Sequence, residues 1–281
     1  MPLTPIQKRV LAAIRSLRHP GSHVAGSLPL HATEDSVRES QDIDLFHDAM
    51  AVMHAACAAD LDALSKAGFT VRQSSTWSET FRRALVGETG SAEAVEIDWA
   101  VDATWRFFPP VQDAILGWRL HDVDLACNKA LALAGRNETR DLVDIMIWSQ
   151  QLNLAAILWA ACGKDPGYTP LSLLEQMRRN ARIDPGQLAM LKARSLDPLR
   201  IKQDWLSAAA AAEVAITTLA DTQPDMETGV LFLGNGGLAG WPESSHLLAE
   251  QMLTVHRPSI GGCVPIIHIA TEGTPKPWSG S

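Results

Sequence analysis

Residues 42 to 48 read Asp42-Ile43-Asp44-Leu45-Phe46-His47-Asp48, and few stretches leave a chain so little choice of conformation. Branched and aromatic residues alternate with carboxylates, the two-residue period of a half-buried strand rather than the 3.6-residue period of a helix. Positions two apart on a strand share a face, so Asp42 and Asp44 project together while Ile43 and Leu45 take the other side. Their separation along the strand is about 7 Å. A rigid carboxylate pair at this spacing suits a magnesium-dependent phosphoryl-transfer site, because magnesium takes hard oxygen ligands and offsets phosphate charge. An Asp-x-Asp triplet is more commonly a solvated turn or a helix cap, so its surroundings decide.

Two neighbouring stretches supply such surroundings. Upstream, His23-Val24-Ala25-Gly26-Ser27-Leu28 is a short apolar run ending in Gly-Ser. Gly26 can take backbone angles closed to other residues, and Ser27 can cap a helix running through Leu28, Leu30 and His31. Amides at such a turn can cradle phosphate oxygens, although an ordinary strand-to-helix turn has the same appearance. Downstream, Ala94-Val95-Glu96-Ile97-Asp98-Trp99 alternates as a second strand, with Glu96 and Asp98 on one face. A third carboxylate from a neighbouring strand would complete a two-metal site. Asp98 is the candidate, with Glu96 behind it, and a half-exposed strand with a polar outer face is the plainer alternative.

At 281 residues, 46% hydrophobic and 20% charged, the chain can bury a sizeable core in one large domain or two moderate ones. A net charge of −8 argues against a non-specific nucleic-acid binder, though a local basic patch could still hold RNA. Four cysteines without a C-x-x-C pair fit reduced thiols, not a zinc site or a disulfide framework. No apolar run is long enough to span a bilayer, and the N-terminal stretch reads as a helix rather than a signal peptide, so a cytoplasmic location with no membrane partner is expected.

Ile6, Val10, Ile14 and Leu17 mark an amphipathic first helix that stops at His19-Pro20-Gly21. A second helix spans Asp48 to Lys66 with an apolar stripe through Val52, Leu61 and Leu64, and strands follow at Phe69–Gln73 and Thr80–Val86. From His121 the pattern becomes helical, at about 122–134, 138–151, 153–162, 170–182, 185–195 and 198–220. Three segments result: 1–120 mixed, 121–224 helical, and a 225–281 tail with a hairpin over Val230–Gly237 and a frayed end from Pro275.

The helical half has a constellation of its own. Lys129 and Arg136 lie two helical turns apart, so both can project from one face, and a following helix presents Arg140, Asp141 and Asp144. Lys129 sits among Leu125, Leu131 and Leu133, a setting for a lysine aimed at a partner such as a triphosphate rather than at solvent.

Three pieces together resemble the AbiEii/AbiGii-type toxin family of nucleotidyltransferases, within the DNA polymerase β-like superfamily. They are Gly26-Ser27 before a helix; Arg38-x-Ser40-x-Asp42-Ile-Asp44-Leu-Phe46; and Asp124-Leu-Ala-x-Asn-Lys129-x-x-Ala132-x-x-x-Arg136 leading into Arg140-Asp141-x-x-Asp144. They cover roughly residues 20–150, and the family often has Gly-Gly where this chain has Gly26-Ser27. The resemblance implies an α+β fold, a small mixed-sheet polymerase β-like nucleotidyltransferase domain followed by a helical domain that closes the cleft. It implies that Gly26, Ser27, Arg38 and Ser40 bind nucleotide, with Asp42, Asp44 and Asp98 holding two Mg2+ ions. Lys129 and Arg136 would face the triphosphate, and either Asp141 or Asp144 would be the late aspartate of the family. The implied reaction moves a nucleoside monophosphate from a nucleoside triphosphate to an acceptor, the tRNA 3′ end being one candidate. Toxin–antitoxin or phage-defence biology, with a cognate antitoxin as partner, comes with it. The rivals are a small-molecule, antibiotic-type nucleotidyltransferase and a non-catalytic binding protein that keeps the fold. Nothing in the resemblance extends to residues 225–281.

Overall fold

The alternation at residues 42–47 is realised as a strand: Ile43 and Leu45 are fully buried, while Asp42 and Asp44 remain half-buried. The computed structural model describes residues 3–75, 77–193, 196–234, 240–242, 253–267 and 276–277. The first elements are α1 (Pro5–Ile14), β1 (Ser22–Val24), α2 (Leu28–His31), β2 (Asp42–His47), α3 (Met50–Lys66), β3 (Phe69–Gln73), β4 (Phe81–Glu88) and β5 (Ala94–Val101). Then come β6 (Trp105–Arg106), β7 (Val111–Asp113), β8 (Gly117–Arg119), α4 (Asp122–Gly135), α5 (Thr139–Gln151), α6 (Leu154–Ala161), α7 (Pro170–Asn180), α8 (Pro185–Met190) and α9 (Pro198–Thr222). Strands β9 (Leu231–Gly234), β10 (Leu253–His256) and β11 (Ser259–Ile260) follow. Two compact units emerge, one of residues 1–104, 109–121 and 191–196, the other of 105–108, 122–190 and 197–281.

The first unit is built on a seven-stranded mixed sheet of order β3-β4-β5-β2-β1-β8-β7. Strands β2 and β5 are parallel, as are β1 and β8, and the remaining neighbours are antiparallel. Ile6, Val10, Leu11 and Ile14 of α1 and Met53, Cys57 and Leu64 of α3 form one core with Ile43, Leu45, Ile97 and Val86. Helices thus cover one face of the sheet and leave the other to polar side chains. Each Ile or Leu buried this way contributes roughly 1.5–3 kcal/mol. The sheet is wider than the sequence indicates, because β1, β7 and β8 are three residues each, too short to show a period.

Several boundaries differ from expectation. Helix α1 gives way after Ile14 to a 3-10 turn over Arg15–Leu17, leaving Leu17 exposed and turning Arg18 inward. Helix α3 begins at Met50, and its buried stripe is Met53, Cys57, Asp60 and Leu64 rather than Val52, Leu61 and Leu64. Asp60 tolerates that position because Arg18 pairs with it and Trp99 Nε1 donates to it at 2.8 Å. Helix α8 ends at Met190, not near 195, because the next residues join the first unit. There Ala193 bridges the Arg38 backbone and the Lys192 carbonyl accepts from Glu39 N at 2.9 Å.

In the second unit α4 packs against α5, α6 and α7, burying Val123, Leu125, Ala126, Ala130 and Leu133. Asp124, fully buried, accepts from Phe107 N at 3.0 Å, Phe108 N at 3.1 Å and Lys164 Nζ at 3.0 Å, pinning residues 105–108 to this unit. The alanine run lies within α9, as its helix propensity predicts. Leu231–Gly234 does enter a strand pair, β9 with β10, the partner being Leu253–His256, and the glycine turn expected at 235–237 lies outside the described residues. Among the described residues no single helix is long and apolar enough to cross a membrane.

Candidate functional site

The pairing of β2 with β5 decides which side chains meet. In the parallel register Asp42 lies beside Glu96 and Asp44 beside Asp98, so four carboxylates share the open face of two central strands. Like charges side by side on neighbouring strands repel, and such a row persists only where cations compensate it.

Gly26 comes next. Its φ of +62° is in the left-handed region, and a Cβ built on it would lie 1.7 Å from Asp44 Oδ2. Only glycine fits, because backbone and carboxylate occupy the space a side chain would need. Ala25 N donates to the Asp44 carbonyl at 2.9 Å, so the turn after β1 is tied to the strand that carries the carboxylate. Ser27 occupies the N-cap of α2 but makes no side-chain capping bond, contrary to the capping role expected of it. Its hydroxyl pairs with Ser40 Oγ at 2.8 Å, and Ser40 Oγ reaches Asp42 Oδ1 at 3.4 Å. Both serines are buried, so this relay competes successfully with capping.

The loop before β2 is itself anchored. Thr4 and Gln7 form a capping box at the start of α1, and the buried Gln7 amide also donates to the Ser40 carbonyl at 2.7 Å. Arg38 is 1% exposed and donates Nη1 to the Glu39 carbonyl at 2.9 Å, so it packs within the loop.

A cation completes the row. Arg83, opposite Asp98 in the antiparallel β4–β5 pair, donates Nε to Asp98 Oδ1 at 2.7 Å and Nη2 to Oδ2 at 2.6 Å. Its Nη1 lies 3.0 Å from Glu96 Oε1. The Asp98 hydrogen bonds, opposed by slight burial and reinforced by the charges of Asp98, Glu96 and Asp42, hold the guanidinium above its already high ordinary pKa. Arg83 does not stand out in the sequence, although a cationic residue in a strand next to a carboxylate strand is a signal for a cross-strand pair. Among the described residues no three His, Cys, Asp or Glu side chains are gathered as a metal cluster. Asp42 and Asp44 supply hard carboxylate oxygens of the kind a divalent ion takes, with Asp44 filling the space beside Gly26. Asp98 is engaged by Arg83.

The second unit gathers the other predicted residues. Lys129 Nζ lies 3.1 Å from Asp141 Oδ1 and 3.0 Å from Asp144 Oδ2, and Arg136 Nε lies 2.7 Å from Asp141 Oδ2. Both carboxylates are fully buried and Lys129 is 8% exposed. Lys129 and Arg136 thus share a face, converging on Asp141. Burial pushes the Asp141 carboxyl up, but the charges of Lys129 and Arg136 and their hydrogen bonds outweigh it and hold the pKa below the ordinary value. Arg140 lies 3.9 Å from Glu138.

No protein-family model matches this sequence, and no curated protein matches it. Among solved structures, MenT4, a nucleotidyltransferase toxin from Mycobacterium tuberculosis, aligns with a TM-score of 0.52 at 14% identity, over 74% of this chain and 82% of its own. The fold is a nucleotidyltransferase fold. JHP933 from Helicobacter pylori aligns with a TM-score of 0.47 at 15% identity, over 79% of this chain and 97% of its own. The α+β architecture expected from the motifs is borne out by the likeness to MenT4.

Proposed function

We propose that this chain is a magnesium-dependent nucleotidyltransferase, moving a nucleoside monophosphate from a nucleoside triphosphate to an acceptor and releasing pyrophosphate. The observation that carries the reading is the register of β2 on β5, with Asp44 flanked by Asp98 on one side and pressed against Gly26 on the other. Asp42 and Asp44 would hold the ion, and Asp98 would join them. The bound ion would offset the charge of the reacting phosphates. The chain's own residues do the positioning. Gly26 lets the backbone approach the carboxylates closely, and the Ser27–Ser40 relay orients Asp42 and presents hydroxyls where phosphate oxygens would arrive. Asp98, once freed from Arg83, is the base that would take the acceptor hydroxyl proton. In the second unit Lys129 is held by Asp141 and Asp144.

The likeness to a nucleotidyltransferase toxin supports the toxin reading; the tRNA 3′ end as acceptor, an antitoxin as partner and the cytoplasm as compartment are proposed from the motif resemblance alone. The test is incubation with each labelled triphosphate, magnesium and total cellular RNA. Label should enter RNA with at least one triphosphate and should be absent for Asp44→Asn. Label in no acceptor with any of the four would defeat the proposal.

A further inference from the structure

Arg83 sits where a metal ion would have to work. Its guanidinium binds both oxygens of Asp98 and reaches Glu96, so its charge already occupies the third carboxylate of the row. A bidentate guanidinium–carboxylate pair is among the stronger polar contacts, and its planar fork matches phosphate as well as carboxylate. The Arg83 side chain is 37% exposed and the Asp98 side chain 9%, so the cation can leave towards solvent while the anion stays in place.

Resting on the proposed function above, we infer that Arg83 is a latch on Asp98, which makes divalent-ion binding conditional on the nucleotide. Without nucleotide, Asp98 is neutralised by Arg83, and an arriving ion meets only Asp42 and Asp44. A nucleotide brings phosphates that offer the guanidinium an equivalent fork partner, and Asp98 is released as the third ligand. Nucleotide and ion therefore bind together, and an ion alone binds poorly. Arg83 is a positioning residue here: it acts through Asp98 and afterwards braces a phosphate.

Manganese binding, measured by electron paramagnetic resonance without any nucleotide, reads this directly. Arg83→Gln should bind manganese at least about tenfold more tightly than wild type, the equivalent of ~1.4 kcal/mol. Arg83→Lys should fall between, because a point charge cannot hold both oxygens. Addition of a non-hydrolysable triphosphate should tighten manganese binding strongly in wild type and little in Arg83→Gln. Circular dichroism checks the fold; if Arg83→Gln unfolds, Arg83→Lys carries the comparison with the same sign. Manganese affinity in Arg83→Gln no tighter than wild type, with Asp44→Asn still weakening it, overturns the latch and spares the metal site. Asp44→Asn without effect in any background overturns the metal site and the latch with it.

Discussion

Of the described glycines, Gly26 is the one where an added Cβ would meet its nearest neighbour most closely, so replacing it with alanine is a sharp probe. The added Cβ would lie 1.7 Å from Asp44 Oδ2, 2.5 Å from Cγ and 2.9 Å from Cβ. None of the three can stand: the Asp44 side chain must turn away to relieve the first two, and the backbone must give slightly to relieve the third. An off-rotamer torsion costs about 0.5–1.5 kcal/mol. Alanine at φ +62° adds roughly 1–2 kcal/mol of backbone strain. The expected loss is therefore ~1.5–3.5 kcal/mol, read from urea titration of wild type and variant. The same displacement takes Asp44 out of register with Asp98, so nucleotidyl transfer should fall by at least about a hundredfold. An Asp44→Ala background separates the two causes. With the carboxylate gone, only the 2.9 Å Cβ contact and the backbone strain remain, so Gly26→Ala should cost ~1 kcal/mol less there than in wild type. Strict additivity of the two substitutions, or wild-type stability and transfer for Gly26→Ala alone, would refute the argument.

Asp42→Asn and Asp44→Asn should each abolish labelled-nucleotide transfer while leaving circular dichroism and melting unchanged or improved, since crowded like charges are relieved; an active, folded Asp44→Asn would remove the metal assignment. Lys129→Met takes away the cation shared by two buried carboxylates and should cost about 3–5 kcal/mol in denaturant titration. Because the folded Asp141 pKa is depressed, its contribution is present above the ordinary carboxylate value near ~3.9 and lost as pH falls through the lower folded value; the variant should lack that acid limb. His47, buried, has its pKa lowered to about 4, chiefly by burial. The unfolded chain then binds the extra proton first, so stability should drop as pH falls from about 6.5 towards 4, by roughly 3 kcal/mol. A flat stability profile over that range, or one unchanged in His47→Phe, would contradict it.

The carboxylate face was legible because strand alternation is a local property: Asp42, Asp44, Glu96 and Asp98 point as their period requires. So were the helices of the second half, most of them bounded by a proline, a glycine or a side-chain cap. What sequence could not show was partnership across strands. Arg83 is one of two adjacent arginines, and only the β4–β5 register places it, rather than Arg82, opposite Asp98. Likewise Asp60 reads as a solvent position until Arg18 and Trp99 are known to surround it. The Gly-Ser turn was found, yet the reason for its glycine, the Asp44 carboxylate in the way of any Cβ, is a three-dimensional fact.

The short stretch after α8 has a bearing on biosynthesis. Residues 191–196 supply the backbone partner of Arg38 and Glu39, in the loop that delivers Ser40 to Asp42. A ribosome has already emitted all of the seven-stranded sheet some seventy residues earlier, at Arg119. The nascent sheet must wait for that late segment before the loop leading into β2 gains these backbone bonds. A chain released before residue 191 would keep its sheet and lack that brace. Termination before residue 192 thus removes the backbone partners of Arg38 and Glu39 while leaving every strand of the sheet in the chain.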